Sequence, residues 1–168
     1  MSELTISQGL RRIKKLKGEL AELTKRASTS VAYQVGREPA FKFSECVEKA
    51  QVAGSELLTL QSRLAITNAL TTVKFDGKEM TLAQATRQLE EFKGQIKFIE
   101  GLPVRDHEKS FEDEFDYDDS MKRVKIVKEW RCELPRAKQA EAIKGFKEKF
   151  DALNDAVETT NHKTLLKN

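Results

Sequence analysis

Four stretches of this chain repeat apolar residues at helical spacing, and that recurrence restricts the fold more than any other feature. Ile6, Leu10, Ile13, Leu20 and Leu23 form the first seam, and Val47, Ala50, Ala53, Leu57, Leu60 and Leu64 the second. Leu82, Ala85, Leu89, Phe92, Ile96 and Ile99 form the third, and Ile143, Phe146, Phe150, Leu153 and Val157 the fourth. Residues three and four apart share one side of an α-helix, so each stretch reads as an amphipathic helix with one stripe to bury. Thr5 with Gln8, and Thr81 with Gln84, have the spacing of a capping box and place two helix starts. Gly101 and Pro103 end the third helix, and Pro135 suits the first turn of the fourth. These signals predict helices over about 5–27, 44–68, 81–100 and 135–163.

The connections carry different signals. Residues 28–42 lose the helical period, contain Gly36 and Pro39, and alternate briefly at Val31, Tyr33 and Val35, which predicts a loop with a short strand. Two short extended pieces flank Asp76-Gly77, a hairpin signal. Residues 106–119 carry eight acids against Lys109, yet Phe111, Phe115 and Tyr117 give the segment something to bury. Lys122–Arg131 follows with five bases and alternation at Val124 and Ile126, favouring a strand. An acidic and a basic strand can pair across Asp119-Ser120, each opposite-charge pair adding about 0.2 to 1 kcal/mol to the register. Short strands are thus expected over about 71–80 and 112–131. The expected fold is mainly α: antiparallel helical hairpins or a four-helix bundle, with long amphipathic helices and small β-hairpin pieces. At 168 residues the chain suits a single domain, 1–168.

Charge and chemistry narrow the function. The formal net charge of +3 is a small difference between 30 bases and 27 acids, so no overall field favours nucleic acid or a membrane. Two cysteines, Cys46 and Cys132, are too few for a disulfide framework, and the opening MSELTISQGLRR has no apolar stretch of the signal-peptide kind. No run approaches the roughly 20 apolar residues of a membrane span. The expectation is a reducing cytoplasm, with both thiols in the core. His107, His162, Cys46 and Cys132 are isolated, and Asp113–Asp119 lacks the glycine and terminal glutamate of a calcium loop, so neither metal nor cofactor is predicted. Without a phosphate loop, nucleophile elbow or Cys/His pairing at known spacing, the chain does not read as an enzyme.

The ends of the second and fourth helices match at a constant offset of 93 residues: Leu57, Leu60, Leu64, Thr67, Asn68 and Thr71 answer to Phe150, Leu153, Val157, Thr160, Asn161 and Thr164. In one reading each Asn ends its helix in the left-handed conformation while the Thr hydroxyls satisfy the last carbonyls. In the other, Thr67, Asn68, Thr160 and Asn161 form a polar patch that holds a ligand or a subunit. A second candidate site is Trp130 beside Arg131, with Lys125 and Lys128 nearby, a stacking plane next to a guanidinium suited to a nucleotide-like anion. Its bland counterpart makes Trp130 a core anchor under the last helix. Arg11, Arg12 and Lys15 could meet phosphates, but Glu19 and Glu22 follow closely and aromatics are missing, which favours a solvated face.

Several short motifs carry a family resemblance. They are the opening helix with Arg11 and Arg12, the turn Gln34-Val35-Gly36-Arg37-Glu38-Pro39, Ile66-Thr67-Asn68 followed by Asp76-Gly77 and Thr81-Leu82, and the closing Asn161-His162-Lys163-Thr164-Leu165. Together they resemble the septicolysin-like family of uncharacterised bacterial and phage proteins. The resemblance implies helical hairpins and a tendency to oligomerise; it brings no activity. A helix over 44–68 is about 37 Å long, enough to leave apolar stripe exposed at its ends. The leading expectation is therefore a non-enzymatic, homo-oligomeric helical binding protein, in the host cytoplasm if phage-encoded, whose seams in the first, third and fourth helices make the contacts. The alternatives are a phage-type protein that sequesters a small anionic nucleotide or metabolite between subunits and, more weakly, nucleic-acid binding through the first helix.

Overall fold

Thr5 starts the first helix as its spacing predicts. Its hydroxyl accepts the Gln8 amide at 3.3 Å, and Gln8 Oε1 accepts the Thr5 amide at 2.9 Å. The structure, a computed structural model, describes residues 3–117, 119 and 121–167. Its elements are α1 Ile6–Ser30, α2 Phe43–Leu70, β1 Thr72–Phe75, β2 Lys78–Thr81, α3 Leu82–Glu100, β3 Lys109–Tyr117, β4 Arg123–Arg131 and α4 Arg136–Lys163. The protein is mainly helical, with two separate antiparallel ribbons, β1–β2 and β3–β4. Two compact units divide the chain: Met1–Thr86 with Asn154–Asn168, and Arg87–Leu153.

In the first unit α1 packs on α2. Ile6, Ile13, Leu16, Leu23, Cys46, Ala53 and Leu60 are buried, whereas Leu10 faces outward, so Leu16 joins the seam and Leu10 leaves it. Arg12 spans the pair with two 2.6 Å bonds to the Glu56 carboxylate, whose affinity for protons this guanidinium lowers. Helix α1 runs three residues beyond the expected end because Ser28, Thr29 and Ser30 donate their hydroxyls to carbonyls of the last turn, at Lys25, Arg26 and Arg26. The strand expected at Val31, Tyr33 and Val35 does not form. Instead the Arg37 amide bonds the Gln34 carbonyl at 2.9 Å and Gly36 adopts φ 85°, the third position of a turn that requires a positive φ.

In the second unit α3 and α4 run antiparallel. The rings of Phe92 and Phe146 lie 6.3 Å apart, Lys93 covers Phe150 at 5.2 Å, and the Gln139 amide donates to the Ile99 carbonyl at 2.7 Å. Ile96, Ile99, Ile143, Phe146 and Phe150 are only half-buried, so this seam is less completely covered than that of α1.

The repeat noticed in the sequence is a repeated junction. Thr67 donates its hydroxyl to Arg63 O at 2.7 Å, and Thr160 donates to Ala156 O at 2.8 Å. Four residues on, the amides of Thr71 and Thr164 return to the carbonyls of Thr67 and Thr160, both at 2.9 Å. The carbonyl of Thr71 then accepts the Leu82 amide at 2.8 Å, and that of Thr164 accepts the Ile6 amide at 2.9 Å. The β1–β2 register pairs Thr72 with Thr81, and a lone bridge pairs Leu165 with Thr5. Thr81 and Gln84 repeat the capping box of Thr5 and Gln8, at 2.9 and 3.2 Å. Behind each box lie buried equivalents: Ile6 and Leu82, Gly9 and Ala85, Ile13 and Leu89, Leu16 and Phe92.

Asn68 and Asn161 do not end their helices in the left-handed conformation. Both lie inside α2 and α4, and the positive φ angles of non-glycine residues fall at Asp76 and Met121 among the described residues. The helix stops at an extended Thr71, φ −98° and ψ 133°. Asp76 (φ 50°) and Gly77 (φ 72°) form the hairpin turn that the Asp-Gly pair signalled.

The two junctions differ in how they close. Covalent chain joins β1 to β2, whereas the other junction joins residues from opposite ends of the chain. There the buried Arg63 guanidinium donates to the carbonyls of Leu166 at 2.9 Å and Lys167 at 3.1 Å, and Thr67 Oγ1 accepts the Lys167 amide at 2.9 Å. The residue 93 positions on from Arg63 is Ala156, which has no donor to offer. Gly9 leaves space for Leu166, since a Cβ there would lie 2.6 Å from Leu166 Cδ1. Arg63→Met keeps the apolar stem and strands both carbonyls; it is expected to lower stability by about 2–3 kcal/mol, seen as a lower urea midpoint with an unchanged slope.

Candidate functional site

Nine consecutive pairs, from Lys109 with Arg131 to Tyr117 with Arg123, build the β3–β4 ribbon. The acidic and basic strands pair as their composition predicts. Lys125 reaches Asp113 at 2.7 Å and Lys109 reaches Glu129 at 3.7 Å, while Lys128 is paired with Glu114. The strands begin at Lys109, three residues before the expected start, and Ser120 of the expected turn lies outside the described residues.

Strand alternation sorts the side chains onto two faces. Phe111, Phe115, Tyr117 and Val127 occupy one, and Val124, Ile126 and Trp130 the other. All of these are exposed, Phe111 at 66% and Trp130 at 41%. Every residue of β4 is exposed, as is every residue of β3 except Ser110. A two-stranded ribbon is at best marginally stable alone, and this one keeps apolar groups exposed on both faces.

Charge organises the base of the ribbon. The Arg105 guanidinium lies 4.1 Å over the Trp130 ring and is also paired with Glu112. The Arg105 hydrogen bond, with a further one from Trp130, holds the Glu112 carboxyl below its ordinary value of 4.5. Asp106 accepts from Arg136 and Glu108 from Lys138, both at 2.6 Å, and each carboxyl is likewise lowered by its cation. These pairs tie the segment just before β3 to the first turn of α4. Cys132, half-buried rather than in the core, accepts the Arg105 amide at 3.4 Å and donates to Leu134 O at 3.2 Å; Cys46 is buried as expected.

The pleat separates the residues that sequence placed together around Trp130. Trp130 and Lys128 share one face, while Arg131 and Lys125 lie on the other. Arg131 is 3.6 Å from Glu129, and the cation on the indole is Arg105, which sequence reasoning missed because it stands outside both strands. Trp130 is not a core anchor, being exposed under that guanidinium. Thr67, Asn68, Thr160 and Asn161 all belong to the first unit, where Thr67 is wholly buried and Asn68, Thr160 and Asn161 are half-buried. Thr67 and Thr160 serve the junctions described above. Arg11 and Lys15 are exposed on α1, whereas Arg12 is held by Glu56. A shallow groove of about 380 Å³ between α1 and α2 is lined by Arg12 and Lys49 but also by Glu19, Glu48 and Glu56. Among the described residues, no group of three or more His, Cys, Asp or Glu is placed to hold a metal, and no helix is long and apolar enough to cross a membrane.

With this geometry in hand, a family model matches residues 13–166, nearly the whole of the described chain. The chain belongs to the Family of unknown function (DUF6847). A crystal structure of a functionally unknown conserved protein from Corynebacterium diphtheriae is similar at a TM-score of 0.76 and 16% identity, over 99% of this chain and 100% of that one. At that identity the likeness shows a shared fold. Comparison with curated proteins gives no match.

Trp130 is the single tryptophan, so its emission reports on the base of the ribbon. A lowered carboxyl keeps its ion pair above its ordinary pKa and loses it as pH falls through the lowered folded value. The emission is therefore expected to be flat from pH 7 to pH 5 and to move only below 4.5, where Glu112 protonates and releases Arg105. Arg105→Ala should shift the neutral-pH emission and abolish the acid step.

Proposed function

We propose that this protein is a non-catalytic, homo-oligomeric binding protein whose assembly surface is the β3–β4 ribbon. The observation that carries the reading is the exposure of Phe111, Phe115, Tyr117 and Val127 on one face and Val124, Ile126 and Trp130 on the other, with no third strand on the ribbon among the described residues. Covering them would remove apolar area from water and brace a ribbon that is marginal by itself. The resemblance to the septicolysin-like proteins, with their tendency to oligomerise, points the same way. The half-buried ends of the α3 and α4 seams offer a second contact, in keeping with the seam-mediated association expected from sequence. The cytoplasm is the compartment proposed, where Cys46 and Cys132 would stay reduced.

Capture of a small anionic nucleotide or metabolite has less support. Arg105 occupies the indole plane on which a base would stack, and Lys125 and Lys128 are already paired with acids. Nucleic-acid binding through α1 loses Arg12 to Glu56 and meets Glu19 and Glu22 beside Lys15.

Size-exclusion chromatography with light scattering tests the proposal. The wild-type chain is expected to elute as an oligomer. Phe115→Ser, which removes roughly 1.5–3 kcal/mol of burial, should weaken association at least about tenfold with the helical circular dichroism unchanged. A wild type that stays a single chain at high concentration would sink the reading.

A further inference from the structure

The ribbon has two free edges as well as two faces, and the backbone register shows which groups line them. The Cys132 amide bonds the Glu108 carbonyl at 2.9 Å, one step beyond the Lys109–Arg131 pair. Hydrogen-bonded and open pairs alternate along an antiparallel ladder. Bonds within the ribbon therefore fall at Ser110/Trp130, Glu112/Lys128, Glu114/Ile126 and Asp116/Val124. Tyr117 agrees, its amide turning to Asp116 Oδ1 at 2.8 Å rather than to the opposite strand. The backbone groups of Phe111, Asp113 and Phe115 consequently point to the outer edge of β3, and those of Lys125, Val127 and Glu129 to the outer edge of β4.

Neither strand contains proline, and the register is continuous over all nine pairs, so nothing covalent blocks a third strand. Charge decides which strand fits. A β3 edge against a second β3 would set Glu112, Asp113, Glu114 and Asp116 against their own kind, and a β4 edge against a second β4 would do so for Arg123, Lys125, Lys128 and Arg131. A β3 edge against a β4 edge instead repeats the match that already joins Asp113 to Lys125 and Glu114 to Lys128 inside the ribbon. Laid side by side in one orientation, successive ribbons give an antiparallel sheet in which acidic and basic strands alternate throughout.

We infer that the partner of the ribbon is a second copy of this chain, joined edge to edge with β3 of one copy hydrogen-bonded to β4 of the next. This rests on the oligomeric reading above and adds an edge contact to it, in which the exposed side chains of each face gain cross-strand neighbours from the next copy. Such a contact is head-to-tail, so it uses two different surfaces of each copy and builds a ring or a continuing series rather than an isolated two-fold dimer.

Native mass spectrometry of the full chain, combined with residue-resolved amide exchange, tests this. The assembly should contain three or more copies, and the amides of Asp113, Phe115, Lys125, Val127 and Glu129 should be slowed at least about 100-fold, matching their even-numbered neighbours. Val127→Pro, which removes an edge amide while sparing the bonds within the ribbon, should return the mass to one chain. An oligomer whose odd-numbered amides exchange freely, or an assembly of two copies only, would overturn the edge pairing and leave the oligomeric reading standing. A wild type of one chain would overturn both. Because the exchange measurement is made on the wild type, it decides the matter even if Val127→Pro fails to fold.

Discussion

The first amide of a helix has no partner inside that helix, and at Ile6 and Leu82 it is met by the carbonyl of a threonine that has just left another helix. That one hydrogen bond fixes where a helix ends, where the next begins and how the chain crosses between them. Each crossing is reinforced by a capping box on the incoming helix and a hydroxyl turned back on the outgoing one. Ile6, Leu82 and Thr67, among the most deeply buried side chains, sit at these crossings. Away from them the α3 and α4 seam is only half covered, as Ile96, Ile143 and Phe150 show.

Much of this was legible in the chain itself, because helix stripes and capping boxes are local. Thr81-Leu82 and Gln84 announce their helix within four residues, and Asp76-Gly77 announces its turn. The threonine pair is visible as a match but its role is not, since Asn68 has the residue type of a helix stop whereas the stop is made at Thr71, whose carbonyl accepts from a residue eleven positions away. Arg63 was silent for the same reason: its acceptors are more than 100 residues distant. Around Trp130 the difficulty was periodicity. Arg131 is its neighbour in sequence, yet a strand sends adjacent side chains to opposite faces, and the cation that arrives comes from Arg105. Brief alternation at Val31, Tyr33 and Val35 gives no strand: the chain turns there, with the Arg37 amide on the Gln34 carbonyl and Gly36 at positive φ.

The two halves share a helix-to-helix plan and differ in what joins their helices. Residues 31–42 connect α1 to α2 with a loop, whereas residues 101–135 connect α3 to α4 with the ribbon. The β1–β2 hairpin keeps Val73 buried and belongs to a junction. The β3–β4 ribbon buries almost nothing of its own and concentrates acids on one strand and bases on the other. Its chemistry is therefore not required by the repeated plan.

Closing the two junctions is not equally easy for a flexible chain. Thr71 meets Leu82 across a short hairpin, while Thr164 must find Ile6 across nearly the full length of the polypeptide. Because closure entropy grows as the logarithm of the loop, the longer search costs about 2.5 kcal/mol more. Arg63 stands where that deficit falls, reaching from α2 to add bonds to Leu166 and Lys167 at the junction the chain does not close for itself, while Ala156, 93 positions on in α4, has no side-chain donor.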